Sequence, residues 1–528
     1  MKSEKFATAL VVFVVLSGSG AMAQDDKGVD GVTGATQVQH SGQFSGQRFQ
    51  ALQQSQRSEA LPTTGRLKIG GYGEAVMTRN FYSQSFNRYK KPENYKDDGS
   101  HGRFDLPHVC LNIGYDFGKG WTMGSEIEFE HGGNGTAVEI EAEEAGEYEA
   151  EVEKGGEVNI EQFWINKEFF QGMFNVKTGE IIVPVGYSNA FHEPNQFFTV
   201  YRPEGEATIM PNTWHQVGLS LWGKVKNWRY EAQFLSGLNS ESFTAEDFVH
   251  YGATSPYEFK VANNYAGAAR VDYYAGGAAA RSGANPRLTP QAPWLRVGLS
   301  GYYGYTFRNT LRTPGAKYDD VTGALGIVAL DFTLNRWNWI VRGNIDYAHF
   351  SDADAISAYN QANWTHHKYQ DGNPHHYSNI GSHALAYAVE AGYDVLSWNR
   401  SGRRLRASQS PQRPQRSEAL PTTTSLQRSE ALPTTFREKL WVFGRFEHYN
   451  TMASGTYKEM YKYTKKYRAV VGVNYQPVKQ ITIKGEYSYR FFEKPNNNGL
   501  ASDSPLYKQP YNNEPSVSVG VTYTGWFL

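Results

Sequence analysis

From Ser516 to Phe527 the chain reads SVSVGVTYTGWF, with Val517, Val519, Val521 and Tyr523 on one face and Ser516, Ser518, Gly520, Thr522 and Thr524 on the other. Side chains of a strand alternate between faces, so this segment predicts a strand that is apolar on one side and small and polar on the other. The pattern recurs. Sixteen segments from Leu67 onward carry it: 67–79, 104–117, 119–131, 156–168, 172–183, 213–224, 227–237, 264–275, 293–307, 322–334, 336–350, 381–397, 438–450, 465–476, 479–492 and 515–528. Each is near or above the roughly 9–11 residues that a tilted strand needs to cross a bilayer.

The sorting of charge sharpens the picture. In WNWIVRGNIDYAHF the face with Trp337, Trp339, Val341, Ile345 and Tyr347 opposes one with Asn338, Arg342, Asn344 and Asp346. Leu440, Val442 and Phe446 oppose Arg445 and Glu447, and Ile481, Ile483, Tyr487 and Tyr489 oppose Lys484, Glu486, Ser488 and Arg490. A soluble sheet of this size would need a large apolar interior. Here the apolar faces are broad and aromatic and the polar faces carry opposed charges, as in a barrel whose outside meets lipid and whose inside meets water. The expected fold is all-β, a transmembrane antiparallel barrel of about sixteen strands.

Connections alternate in length. Those at 80–103, 132–155, 184–212, 238–263, 308–321, 351–380, 451–464 and 493–514 are long, whereas Gly118, 169–171, Val225-Lys226, Asn335 and Pro477-Val478 are tight. Short periplasmic turns and long extracellular loops are the expected asymmetry. The connections at 276–292 and 398–437 break it. The second carries the basic run RSGRRLRAS and two copies of QRSEALPTT, at 415–423 and 427–435; a third lies at 56–64. The spacing suggests an inserted repetitive element in exposed chain, on the periplasmic side, either a bland loop or a linear docking motif.

The first residues predict export. Lys2 and Lys5 precede an apolar run from Phe6 to Leu16, and Ala21-Met22-Ala23 is a small-x-small cleavage site before Gln24. Residues 1–23 are therefore expected to be a removed signal peptide, 24–66 a mobile periplasmic leader, and 67–528 the barrel. Removal leaves 50 basic and 52 acidic side chains, so bulk nucleic-acid binding is not expected. Mean hydropathy is −0.58 while aromatics reach 14%, which a helical membrane protein would not show. Cys110 is the single cysteine and reads as a small strand residue.

Candidate chemistry is of the channel kind. Arg229, Arg270, Arg296, Arg342, Arg445, Lys484 and Arg490 fall at inward positions. They could build a basic track for anions or, with Glu231, Asp272, Asp331, Asp346, Glu447 and Glu486, a structural network of ion pairs. Inward Glu126, Glu128 and Glu130 sit beside the acidic run 138–153, which reads as a solvated surface loop. The segment 184–212 holds Phe191, Phe197, Phe198, Tyr201 and one permanent cation, Arg202. It is too apolar to hang in water, so it either folds inward and narrows the barrel or caps a ligand at the outer surface. His366, His367, His375, His376 and His383 lack the accompanying ligand spacing that would fix a metal, and no catalytic motif or cofactor site is present.

The segments GGYGEAVMTRNF, FNVKTGEIIVPVGYSNAFHEPNQFF, WHQVGLSLWGKV, WRYEAQFLSGLN, LRVGLSGYYG and FGRFEHYNT make residues 67–528 resemble the phosphate-selective porin O and P family in its Bacteroidota form. The resemblance implies a sixteen-stranded, usually trimeric porin with its third outer loop folded inward. Two departures stand out: 184–212 lacks a Lys/Arg cluster, and the chain ends in Leu528 after Phe527. The expected function is passive diffusion of small polar or anionic solutes, including phosphate, across the bacterial outer membrane, without catalysis. Outer-membrane lipid, the barrel-assembly machinery and two further copies of the chain are the expected partners. The alternative is a surface adhesin or ligand-binding barrel with little conductance.

Overall fold

Thr78 and Ser518, 440 residues apart, hydrogen-bond through their hydroxyls at 2.9 Å. That contact lies in the seam that closes the sheet into a ring. In the computed structural model the described residues are 66–83, 101–131, 137–141, 149–153, 157–211, 213–238, 248, 265–276, 294–305, 323–355, 357–358, 379–398, 437–456, 458, 464–492 and 513–527. The expected signal peptide (1–23), the expected leader (24–66, but for Arg66), all three QRSEALPTT copies and His366, His367, His375 and His376 lie outside them.

The strands are β1 (Leu67–Asn80), β2 (His101–Asp105), β3 (His108–Gly118), β4 (Trp121–Glu130), β5 (Ala137–Glu141) and β6 (Glu149–Glu153). Then come β7 (Glu157–Phe169), β8 (Phe174–Ile182), β9 (His215–Val225), β10 (Trp228–Leu235), β11 (Ala266–Ala275) and β12 (Leu295–Tyr305). The last are β13 (Ala324–Arg336), β14 (Trp339–Phe350), β15 (His383–Asp394), β16 (Lys439–Ser454), β17 (Lys466–Val478), β18 (Ile481–Phe492) and β19 (Asn513–Trp526). Each barrel strand pairs antiparallel with its neighbours, and β19 returns to β1 with Gly70 opposite Trp526 and Asn80 opposite Ser516. Both β2 and β3 pair with β1. They are one stave interrupted at Leu106-Pro107, where proline has no N–H for the ladder. The barrel therefore has sixteen staves, closed, so no strand edge is left unpaired.

Alternation holds around the ring. Met77, Ile165, Leu219, Val271, Leu330, Ile345, Val442, Ile483, Val519 and other large apolar side chains are exposed on the outside, while Glu74, Gln233, Asp331, Arg342, Glu447 and Thr522 are buried within. Exposed aromatics gather at both ends: Trp121, Phe170, Trp228, Trp294, Trp337 and Trp339 near the tight turns, and Phe104, Phe129, Phe234, Tyr303 and Tyr347 near the long connections. Two such girdles flanking an apolar band suit the two interfaces of a bilayer.

The tight turns are at 119–120, 170–173, 226–227, 337–338 and 479–480, one to three residues later than the pattern suggests. Irregular register at Asp116/Gly118 and Tyr475/Val478 keeps extra residues in the strands. Trp337 and Asn338 both take positive φ, 54° and 64°. They form the two-residue turn whose twist matches a hairpin, so Asn338 is an exposed turn residue and not an inward one. The acidic run 138–153, expected as a loop, carries the β5–β6 hairpin, in which Glu139 faces Glu151 and Glu141 faces Glu149.

Candidate lumen site

The segment between β8 and β9 runs inside the barrel. It contains α1 (Tyr187–Ala190), a 3₁₀ turn (Pro194–Gln196) and α2 (Glu204–Ile209). Its turn into α1 needs Gly186, whose φ is +78° and where a Cβ would overlap Glu206 Oε1. The segment has too little regular structure to satisfy its own backbone, and the wall supplies the partners. Phe198 N–H donates to Glu390 on β15, Val200 N–H to Glu486 Oε2 on β18 (2.7 Å) and Gly205 N–H to Glu447 Oε2 on β16 (3.0 Å). Asn474 on β17 donates to Phe198 O at 2.9 Å, and Thr482 and Thr522 donate to Asn195 Oδ1 at 3.2 and 3.1 Å. Lys484 Nζ donates to the carbonyls of Pro194 (2.7 Å), Thr199 (2.8 Å) and Phe197 (3.4 Å).

The two groups of candidate residues meet face to face. Arg270 and Arg296 lie over the Phe191 ring, at 5.6 and 4.2 Å from its centroid, Lys484 over Phe197 at 4.3 Å, and Arg342 over Phe198 at 4.8 Å. Phe198 also stacks on Phe443. Arg103 lies over Tyr201, whose hydroxyl accepts from Thr78. Desolvated contacts of a cation with an aromatic face are worth up to ~2 kcal/mol each. They fix the segment on the wall by the very residues that would otherwise face water.

The basic residues also carry their own counter-ions. Arg270, wholly buried, binds Asp272 (2.8 Å) and Asp331 (2.9 Å), and Arg296 binds the same pair at 3.0 and 2.5 Å. Arg229 pairs with Glu231 and, at 3.6 Å, Asp272. Arg342 pairs with Glu390, Arg445 with Glu447 (3.2 Å), and Arg490 with Glu514 and Glu204 (2.7 Å). Arg468 joins Glu204, Glu447 and Glu486 at 3.1–3.3 Å. Its inward position at the start of β17, in period with Asn474, was the available signal for it. The row is thus an ion-paired network and not a line of free cations, yet Arg342 Nε and Nη2, Arg445 Nε and Arg490 Nε are buried without an acceptor.

The opposite arc, on β1, β3, β4 and β7, is acidic. Glu74, Glu126, Glu128 and Glu161 are all buried, with Tyr72 and Cys110 among them. Glu130, expected beside them, ends β4 partly exposed. Glu161 is there through a bulge: Glu126 pairs with Gln162 and Ile127 with Ile160, so Glu161 is the extra residue and both Glu161 and Gln162 turn inward. The inward segment brings His192 Nε2 to 3.8 Å from Glu126 and also contributes Arg202, hydrogen-bonded to Thr213 at 3.3 Å.

Charges on the inward segment respond to these walls. Burial works against a charged His192, but Glu126 and then Glu161 hold its pKa up to about 9. Burial likewise opposes the Arg202 charge, and Tyr72, Glu128, Glu161 and Glu74 push its pKa up regardless. Burial pushes Glu206 up to about 7, with Asp331 adding to it and Ser188, donating from N–H and Oγ, opposing. For Glu204 burial is outweighed by Arg490, Arg468 and Lys466, which hold it at about 2.

No protein-family model matches the chain. Over 175 residues it is 30% identical to an uncharacterized protein of Aquifex aeolicus (strain VF5), and the match spans a third of each chain. Among solved structures it is similar to an anion-selective porin from Comamonas acidovorans (TM-score 0.43, 10% identity, 87% of this chain and 99% of that one). OprB of Pseudomonas putida at high pH gives 0.44 at 10% identity, over 87% and 94% of the two chains. The outer membrane channel DcaP of Acinetobacter baumannii gives 0.41 at 11%, over 87% and 97%.

Proposed function

We propose that the chain is an outer-membrane channel through which small polar or anionic solutes diffuse passively. The observation that carries this reading is the closed ring of sixteen staves, apolar outside and charged inside, with one segment folded across its lumen. A barrel of this size leaves an aqueous interior unless it is filled, and the inward segment sets how much of it stays open. Phe191, Phe197, Phe198, Tyr201 and Arg202 are the proposed constriction. The unpartnered guanidinium N–H groups of Arg342, Arg445 and Arg490 support an anion preference, since buried donors without acceptors favour an acceptor that passes. Phosphate fits this chemistry as one such anion. The reading includes assembly as a homotrimer in outer-membrane lipid through the barrel-assembly machinery, and no catalytic step.

A second reading has its own observation. Most residues of the inward segment from 183 to 211 are buried and its aromatics are packed on the wall. A lumen filled to that degree also suits an anchor of little conductance whose long connections bind a ligand or surface. Single-channel recording of the refolded protein in planar bilayers, with reversal potential in a salt gradient, separates the two. Stable steps with an anion-favouring potential, weakened by Arg342→Met with Arg445→Met, support the channel. An absence of steps from a folded barrel supports the anchor.

A further inference from the structure

We propose that the acidic arc of the lumen holds a divalent transition cation of the zinc type, ligated by Cys110, Glu126 and Glu161. Each of these three residues offers a ligand atom within 4.8 Å of the other two, and all three are buried. Cys110 Sγ is 4.0 Å from Glu161 Oε2. A cation with bonds of about 2.3 Å to sulfur and about 2.0–2.2 Å to oxygen needs a separation only a few tenths of an ångström shorter. Thiolate with carboxylate is a donor set for a borderline metal and not for magnesium or calcium, which take oxygen alone.

A surplus of acceptors points the same way, independently of the carboxylates' number. Gln162, itself 1% exposed, donates from Nε2 to Glu126 Oε2 at 2.6 Å and leaves its own Oε1 without a donor. Asn112, 6% exposed and directly across from Glu126, leaves Oδ1 without one. Glu161 Oε1 and Glu74 Oε2 are also without a hydrogen-bond partner, and Glu126 Oε1 has only the His192 ring, at 3.8 Å. Buried acceptors that meet no donor are costly, and one cation among them relieves several at once. Gln162 is hydrogen-bonded to Glu126 and Asn112 lies across from it in the ladder, so both bare amide oxygens belong to immediate neighbours of a proposed ligand.

The surroundings agree. Four carboxyl groups, Glu74, Glu126, Glu128 and Glu161, are gathered around one permanent cation, Arg202, with the His192 ring 3.8 Å from Glu126. Lys484 acts on Glu74 from the far flank but is shared with Glu486 and held by loop carbonyls. His108 bridges Glu128 and, at 4.0 Å, Glu74, outside the three proposed ligands. The bulge that turns Glu161 inward creates the third ligand, a use that bulges next to functional sites commonly have.

The test is cobalt(II) binding to the folded full-length mature chain, with cobalt present either during or after refolding. The chain has one cysteine, so a sulfur-to-cobalt charge-transfer band reports Cys110 alone, whatever exposed histidines bind. We expect the band at one cobalt per chain, its displacement by zinc, and its loss in Cys110→Ser. Glu161→Gln should keep the band and weaken binding by more than about tenfold, a loss that even outer partners of a metal site produce. Folding of each variant is read from its heat-modifiable migration. No band from the folded wild type under either addition, or unchanged affinity in Glu161→Gln, overturns the proposal. A metal-free result means the surplus acceptors are met by protons or water. The readout needs no ion flow, so it stands or falls apart from the channel reading.

Discussion

Replacing Lys484 by methionine should loosen the inward segment without opening the barrel. Lys484 is 1% exposed and its ammonium donates to three carbonyls of that segment, two of them at 2.7 and 2.8 Å, while resting on the Phe197 ring. A hydrogen bond to a charged group contributes ~1.5–3 kcal/mol, and each carbonyl left bare adds a desolvation cost. Methionine fills much of the same volume and removes the cost of burying an ammonium, which offsets part of the loss. The net is about 3 kcal/mol against docking, or ~10²-fold more of the undocked form at about 1.4 kcal/mol per tenfold. Chymotrypsin reads this directly, because Phe197 and Phe198 are sites for it that are buried when docked, with Phe191 and Tyr201 half-buried beside them. Where docking is fast relative to cleavage, the rate follows the open fraction and should rise by the same ~10²-fold. An unchanged cleavage rate in a folded variant would refute the view that these carbonyl contacts hold the segment in place.

Arg270→Met should destabilise the barrel itself by ~3–5 kcal/mol, since Asp272 and Asp331 keep buried charges with only Arg296 and Arg229 left to face them; thermal loss of heat-modifiable migration measures it. Gly186→Ala should undock the inward segment, because its φ of +78° and the clash with Glu206 leave a Cβ no place; chymotrypsin sensitivity checks this as well. Protection of the segment should also depend on pH. Glu206, raised to about 7, favours the folded form while protonated, so its contribution is lost as pH rises from the ordinary carboxylate range through about 7. His192, raised to about 9, contributes fully below its ordinary value near neutrality and loses that contribution through about 9. Glu204, held at about 2, contributes above its ordinary value and loses that as pH falls toward about 2. A cleavage rate that is flat between pH 5 and 9 contradicts the first two.

The strands were legible because a lipid-facing wall imposes strict alternation, and all sixteen predicted segments are staves. Boundaries slipped where bulges hold an extra residue, as at Tyr475/Val478, since a bulge resets the period without a mark in composition. Glu161 escaped notice for that reason. Alternation counted forward from Val158 and Ile160 puts it inward, and alternation counted back from Phe163 and Ile165 puts it outward. The apolar character of 184–212 signalled that it could not stay in water, but not which wall it would meet. That Arg270 is wholly enclosed while Arg490 is partly exposed depends on pairings between residues distant in the chain, which side-chain type alone does not reveal. The choice left open between a free basic track and an ion-pair network falls to the network, with single N–H groups to spare.

The inward segment is attached to staves that are made long after it. It bonds to β1 and β12, but also to β15, β17, β18 and β19, and the β1–β19 seam then shuts around it. Its full set of bonds therefore exists only once β15 to β19 are in place, so the segment's final seat is a product of the finished ring and not of its own neighbourhood in the chain. A chain halted before β15 would carry the segment with, of these berths, those on β1 and β12 alone, so the last third of the sequence decides the shape of the lumen that an earlier stretch fills.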